Sequence, residues 1–539
     1  MLWMSASLPA QLIWDTAHLA RVKQSLNDPY YAQAYNYLQE EAKELLTCKP
    51  LSVMDKAGTP ASGDKHDYMS LARYYWPDPS KEDGLPYISR DGLSNPELNQ
   101  YDRNPFGKTC ERINTLTLAW YFSNDESYAH IAKGHDNDRG RSYGVLDAKF
   151  TDQALADASK QLEYACREAA KAKAQKDNRT GNKVIPRSID KEGKLVMVNP
   201  NDWCSGFFSG TLWNMYQYTR EPAFRESAVS WTWPIEDAKW DKGTHDLGFM
   251  MYNSFGKAYD IRGEQSYRDV VLQSARSLIT RFNPVVGCIR SWDHNRDKWN
   301  YPVIVDNMMN LELLFRATQL TGDSTFWKIA VSHANTTMKN HFRPDYSSYH
   351  VIDYNPQTGE VRKRNTAQGN ADDSFWSRGQ GWGLYGFTMC YRYTRNTQYL
   401  QQACNIADFW LSLPLPEDGI PYWDMKLPTV DDQTPRDASA AAIIASALYE
   451  LSQYVPEDKA TRYLTYADKV MQSLYDSYRA PYGTNGGFLL LHSTGHKPAN
   501  SEVDVPLNYA DYYYLEALLR RRALSLTSPT LQSSSRRIR

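Results

Sequence analysis

The chain has 539 residues, of which 42% are hydrophobic and 23% charged, with a formal net charge of -2. That balance is ordinary for a globular protein with room for two domains or one large barrel, and it removes the electrostatic case for nucleic acid as a partner. The seven cysteines, at 48, 110, 166, 204, 288, 390 and 404, form no CxxC pair, which argues against a disulfide framework and a zinc site. No apolar run reaches the ~18 residues that a membrane span needs.

In chain order, the start Met1-Leu2-Trp3-Met4-Ser5-Ala6 lacks a basic flank and a sustained apolar stretch, so no signal peptide is expected. Residues 29–47 carry aromatic and Leu positions at helical spacing. Residues 54–110 read as loop-rich, with Pro60, Pro77, Pro79, Pro86, Pro96 and Pro105. A helix is predicted over 151–174 with Thr151 as N-cap. The charged stretch 169–193, containing Lys171, Lys173, Lys176, Asp177 and Arg179, reads as a solvated helix end and loop. Amphipathic segments recur near 205–219, 247–260, 264–281, 306–321, 324–340, 380–394, 397–412, 438–454, 459–477 and 508–524. They come in pairs with short polar connectors, and alternating β-branched runs are nearly absent. The expected fold class is all-α, a stack of helical hairpins such as an (α/α) toroid with its cleft at one end of the inner helices. The Ser-rich, basic 525–539 predicts a disordered tail.

Two acids interrupt apolar runs: Asp306 in Val303-Ile304-Val305-Asp306-Asn307-Met308-Met309, and Asp246 in Thr244-His245-Asp246-Leu247-Gly248-Phe249-Met250. Burying a carboxylate is costly unless it is paired, hydrogen-bonded or protonated, and such pairs often handle protons. Two structural alternatives stay open: Asp246 as a helix cap before Leu247, and Asp306 as a buried acid satisfied by Asn310. Aromatics make up 13% of the chain, with 16 Trp and 38 Tyr, which suits either a sugar-stacking cleft or a large helical core. The Asp372-Asp373 and Asp431-Asp432 pairs lack metal-ligand spacing with His or Cys, and no phosphate-cradling Gly loop occurs, so no metal or cofactor is expected.

Several longer motifs carry a resemblance. They are Asp202-Trp203-Cys204-Ser205-Gly206-Phe207-Phe208, His245-Asp246-Leu247-Gly248-Phe249, Val305-Asp306-Asn307-Met308-Met309-Asn310, the run 371–382 with Arg378 and Trp382, and Asn500-Ser501-Glu502-Val503-Asp504-Val505-Pro506. With them, residues 147–522 resemble the bacterial unsaturated glucuronyl hydrolases. Cys204 departs from the Ser or Thr usual there, and Asn370 and Gly381 from Tyr and Ala. His66-Asp67-Tyr68-Met69-Ser70, Ala72-Arg73-Tyr74-Tyr75-Trp76-Pro77, Asp83-Gly84-Leu85-Pro86-Tyr87, Arg90-Asp91-Gly92 and Asn95-Pro96-Glu97 resemble the start of an alginate lyase. That family's downstream Asn-Asn-His segment has no counterpart, so residues 1–130 are expected to be a non-catalytic lyase-like fragment. Residues 131–146 are then a junction and 147–524 an (α/α)6 barrel.

The resemblance implies a glycosidase that hydrates the C4=C5 bond of an unsaturated uronate on lyase-generated glycosaminoglycan oligosaccharides. It implies a bacterial setting, periplasmic or cytoplasmic, and no cofactor. Asp306 is the expected general acid/base and Asp246 the carboxylate that tunes it. His350 and Arg378 are expected to orient uronate and water, and Gln368 to position water. Trp203, Trp292 and Trp382 are expected as cleft walls, with Trp213 and Trp376 in the core. His245 is expected to line the pocket, and Lys497, beyond His492 and Ser493, to meet a sulfate. The rival readings are an unsaturated rhamnogalacturonyl hydrolase of pectin breakdown, a non-catalytic sugar-binding fusion, and an active alginate lyase.

Overall fold

The computed structural model describes residues 16–131, except 50, 60–64, 66–68, 70–73, 82–86, 91–92, 126 and 130, together with 146–175 and 183–526. Most of the expected 131–146 junction, the centre of the charged 169–193 stretch, part of the lyase-like motifs and the tail beyond 526 lie outside the described residues. The chain divides into two compact units, one N-terminal to residue 143 and one spanning Tyr143–Leu526.

The N-terminal unit contains helices α1 (Thr16–Gln24), α2 (Pro29–Leu45) and α3 (Arg103–Ser123). Asp28 caps α2 by accepting the Tyr30 N–H at 2.9 Å. Ala42, Leu116, Ala119 and Tyr128 form its small core. Helix α3 starts at Arg103, inside the stretch read as loop: Pro105 falls in its first turn, where the missing N–H costs no helical bond.

The larger unit is a double ring of helices. Its inner ring runs α4 (Ser205–Thr219), the widened segment Gly248–Gly256 continuing into α5 (Lys257–Arg262), α6 (Asn307–Thr321), α7 (Ser377–Thr394), α8 (Ala438–Leu451) and α9 (Asn508–Leu526). Each packs on the next, and α9 packs back on α4, closing the circle. The outer ring is α10 (Ala148–Ala174), α11 (Pro222–Thr232) with the 3₁₀ turn Trp233–Trp240, α12 (Gln265–Ile279), α13 (Ser324–Asn340), α14 (Thr397–Ser412) and α15 (Glu457–Ser473).

Composition explains which helix goes where. Helix α8 (ASAAAIIASALYEL) is buried along its whole length. Outer helix α14 buries Tyr399, Gln402, Ala403, Ile406, Ala407 and Trp410, one stripe at helical spacing. Helix α10 begins at Ala148, capped by Asp147, whose carboxylate accepts the Phe150 N–H at 2.8 Å. The expected cap, Thr151, is instead buried and donates back to the Ala148 carbonyl. Helix α11 is not predicted from the sequence, because Pro234 has no N–H to continue the ladder and breaks the pattern into two short pieces. Helix α9 runs to Leu526, inside the segment expected as tail.

Short strands decorate the ends of the inner helices: a hairpin of β1 (Ile185–Ile189) and β2 (Leu195–Val198), a sheet of β3 (Pro302–Ile304), β4 (Val351–Tyr354) and β5 (Val361–Asn365), and a hairpin of β6 (Ser493–His496) and β7 (Ser501–Val505). Two glycines let the inner ring close tightly. A Cβ on Gly206 would lie 2.1 Å from the Met250 carbonyl oxygen, and one on Gly248 would lie 2.5 Å from the Asn310 Cα. No larger residue fits at either place, and the starts of α4, Gly248–Gly256 and α6 are drawn together as a result.

Candidate active site

A cleft of about 570 Å³ opens where the inner helices begin. Trp203 stands just before α4, Asp246 before Gly248–Gly256, Asp306 before α6, Trp376 and Arg378 at the start of α7, and Tyr509 at the start of α9; all line the cleft. A helix N-terminus favours a nearby anion by about 0.3–1 kcal/mol, so several converging starts suit a carboxylate-bearing ligand.

Antiparallel pairing explains how residues distant in sequence meet. Strands β3 and β4 pair with Ile304 opposite Val351. The next step along the pair joins the Val305 N–H to the His350 carbonyl at 3.1 Å. Asp306 and His350 therefore emerge side by side, with His350 Nε2 3.6 Å from Asp306 Oδ2. The His350 ring is oriented from behind, since Nδ1 accepts the backbone N–H groups of Ala367 and Gln368, both at 3.1 Å. An accepting Nδ1 leaves the proton on Nε2, facing Asp306. Burial, then the charges of His496 and Arg378, hold the His350 pKa well below its ordinary value, so the ring is a neutral donor. Among the described residues neither Asp306 Oδ2 nor His350 Nε2 has a hydrogen-bond partner.

Asp306 is 8% exposed. Burial pushes its pKa up to about 7, the Arg378 charge opposes the rise, and the neighbouring Asp246 adds to it. Its side chain makes no cap bond to α6. Asn310 does not satisfy it either, because Asn310 Oδ1 accepts the Phe249 N–H at 2.9 Å. Asp246 is also raised to about 7, mainly by burial. Its Oδ2 accepts from the Thr244 hydroxyl at 2.9 Å, and His245 Nε2 lies 3.2 Å from Oδ1. The residue at the cap position of the following helical segment is Leu247, so Asp246 is not a capping residue. His245 is 2% exposed and burial lowers its pKa to about 3, which keeps it neutral.

Of the residues expected at the site, Asp246, Asp306, His245, Trp203, Trp292, His350, Gln368 and Arg378 line this one cleft. Arg378 is not free to grip a ligand with its whole fork: Nη1 meets Asp437 Oδ2 at 2.8 Å and the Thr494 carbonyl at 2.5 Å, and Nη2 meets the Gly495 carbonyl at 2.6 Å. Gln368 donates to the same Gly495 carbonyl at 3.1 Å. The two side chains thus moor the β6 strand to the cleft.

One tryptophan leaves its expected place and another serves two. Trp382 lies within α7, is fully buried, and packs on Phe249 and Tyr513 beneath the cleft floor. Trp376, just before the helix, is buried in the core as expected and lines the cleft as well, with its ring 4.7 Å from His350 and the Arg378 guanidinium 4.4 Å from its centroid. Trp213 is in the core, donating to the Thr232 hydroxyl at 2.9 Å. Lys497 sits in a 3₁₀ turn between β6 and β7 and is not among the cleft-lining residues, whereas His496 and Glu502 are. His492 turns outward to pair with Asp504 at 2.6 Å.

Sequence reasoning passes over Arg187, Glu502, Tyr509 and Trp299, which also line the cleft. Arg187 falls in the stretch read as solvated loop, yet it lies on β1 and forks between Asp202 and Glu502. A Pro-containing, five-residue strand carries too little alternation to signal itself. Cys204 keeps a polar contact where a hydroxyl is usual, with Sγ 3.0 Å from Asp202 Oδ1.

A family model described as Glycosyl Hydrolase Family 88 matches residues 178–519, which include all of these cleft residues. The chain belongs to glycosyl hydrolase family 88. It is 48% identical over 346 residues to the unsaturated glucuronyl hydrolase of Formosa agariphila, covering 64% of this chain and 86% of that protein. The solved structure of an unsaturated glucuronyl hydrolase specific for heparin superposes with a TM-score of 0.64 at 43% identity, covering 69% of this chain and 96% of the other. The glycosaminoglycan-degrading unsaturated glucuronyl hydrolase of Bacillus sp. GL1 superposes with a TM-score of 0.64 at 32% identity, covering 70% and 98%. The family's (α/α) barrel is the double ring described above. Residues 52–137 match a separate model, alginate lyase.

Proposed function

We propose that this family 88 enzyme releases the unsaturated uronic acid from lyase-generated glycosaminoglycan oligosaccharides, with Asp306 as its general acid/base. One observation carries the reading: a buried acid that holds its proton to about pH 7 faces a sugar-sized cleft beside a second carboxylate and a neutral histidine donor. A general acid with a pKa near the working pH suits proton transfer at neutrality.

The chemistry follows from those groups. Protonated Asp306 gives its proton to C4 of the C4=C5 bond, and positive charge develops at C5 and the ring oxygen. Water adds at C5 while the Asp306 carboxylate takes up the proton it releases, which restores the acid. The C5 hemiketal opens by breaking its bond to the ring oxygen, leaving a hemiacetal at C1 that expels the rest of the sugar. Asp246 raises the proton affinity of Asp306, and the His350 Nε2–H supports the carboxylate that forms after transfer. Trp203, Trp292 and Trp376 offer ring faces to the sugars.

The test is a spectrophotometric assay on unsaturated disaccharides from chondroitin, heparin and pectin, following loss of the absorbance of the conjugated C=C. Loss on the glycosaminoglycan products is expected. Loss on the pectin product alone would reassign the substrate to a rhamnogalacturonide, and no loss on any of them by folded protein would leave a sugar-binding fusion. A gain of that absorbance on intact alginate would mean the N-terminal unit is an active lyase.

A further inference from the structure

Arg187 joins parts of the cleft that come from opposite ends of the barrel sequence. It projects from β1 and its Nη1 contacts both Asp202 carboxylate oxygens at 2.9 Å. Its Nε and Nη2 meet the two Glu502 oxygens, at 2.5 and 2.7 Å. Asp202 precedes α4 and stands next to the cleft-wall residue Trp203, over whose ring the guanidinium lies at 5.9 Å. Glu502 is on β7, in the hairpin that brings Gly495 and His496 to the cleft. The hairpin is conformationally unfavourable at three non-glycine positions, Asn500, Glu502 and Asp504, with φ of 50°, 54° and 58°. A forked Arg–carboxylate pair suits holding such a strand in place.

Asp202 also acts on the catalytic pair through its charge. Gly206 lets the start of α4, which Asp202 precedes, lie against the carbonyls of Phe249 and Met250, three and four residues beyond Asp246. The groups facing Asp246 are Thr244 and His245 from its own segment, Asn310 from α6, Arg281 at the end of α12, and Asp202; Asp246 in turn acts on Asp306. The Asp202 charge raises the Asp246 pKa and the Arg281 charge lowers it.

We propose that Arg187 is a positioning residue with two separable effects: through Asp202 it sets the charge beside the catalytic pair, and through Glu502 it fixes the β6–β7 hairpin against the sugar. The idea rests on the proposed hydrolase reading. Removing the Arg187 charge leaves Asp202 uncompensated, so the carboxylate pair holds its protons to higher pH. Removing the Asp202 charge does the opposite.

The experiment compares pH profiles of kcat/KM on unsaturated chondroitin disaccharide for the full-length wild type and the variants Arg187→Met, Arg187→Lys, Asp202→Asn and Glu502→Gln. Arg187→Met is expected to move the profile to higher pH by about 0.5–1 unit and Asp202→Asn to lower pH by a similar amount. Arg187→Lys, which keeps the charge, should leave the profile in place. Glu502→Gln should raise KM several-fold with kcat and pH profile little changed. Shifts of the same sign in Arg187→Met and Asp202→Asn, or unmoved profiles in both, overturn the proposal. Should Arg187→Met fail to fold, the direction of the Asp202→Asn shift decides. Wild-type protein inactive on every unsaturated disaccharide would refute the hydrolase reading instead.

Discussion

The two ends of the inner ring bury acids to a similar depth and treat them in opposite ways. At the cleft end, Asp306 and Asp246 lack a cation in direct contact, and burial lifts both to about 7. Further along the same helices, Arg392 and Arg520 clasp Glu450 at 2.7 and 2.9 Å, and burial is overruled: the Arg392 and Arg520 charges hold Glu450 down to about 2. Glu516 is held low in the same way, chiefly by Arg520 and Lys257. Burial therefore does not set the protonation state of a barrel acid; the presence of a contacting cation does.

The contrast breaks most sharply at Asp306. Asp306→Asn removes the proton donor, and kcat on unsaturated chondroitin disaccharide is expected to fall by about 10²–10⁴-fold while binding persists, as read by calorimetry. Retained turnover would place the acid elsewhere.

The same variant has a stability signature of its own. Below pH 3.8 Asp306 is protonated whether the chain is folded or not, and it imposes no penalty. As pH rises from 3.8 through 7 the unfolded chain ionises first and the folded state is progressively destabilised. Asp306→Asn should therefore be more stable than wild type at pH 8, by at most about 4 kcal/mol, with the gain vanishing near pH 4. Thermal melts at the two pH values measure it, and a gain that does not grow with pH would mean Asp306 is ionised in the folded protein.

Glu450 has the opposite sign. Its depressed pKa contributes stability that is fully present above pH 4.5 and is lost as pH falls toward 2. Glu450→Gln deprives Arg392 and Arg520 of their shared anion and should cost on the order of 3 kcal/mol in urea unfolding at pH 7. A neutral result would show that Glu312 and Glu516 alone satisfy the two arginines.

The smallest effect is expected from the N-terminal unit. Deleting residues 1–142 should leave kcat/KM on disaccharides unchanged within assay error, because the cleft residues all lie in Tyr143–Leu526. A large loss would give the lyase-like unit a part in turnover.

Much of the ring is legible in the sequence because helix burial repeats every three to four residues, and α4, α13 and α14 begin and end where that spacing says. The acids are less specific as a signal. Asp511 also interrupts an apolar run and is raised by burial to about 8, yet it is tied to the backbone N–H groups of Leu489 and Leu490 and is not among the cleft-lining residues. What separates it from Asp306 is position, at the start of an inner helix or a turn inside it. The difference between Trp376 and Trp382 has the same cause, since a few residues along the chain separate a core side chain that also reaches the cleft from one that does not.

The sequence by itself determined the paired-helix architecture, the family motifs and the two acids, because periodicity and local motifs are written in consecutive residues. Only the tertiary structure decided that Asp306 stands beside His350, that Arg378 and Gln368 hold Gly495 rather than standing free, and that Arg187 belongs to the cleft. Those relations depend on β-strand register and ring closure, which join residues tens to hundreds of positions apart and leave no mark in any local window.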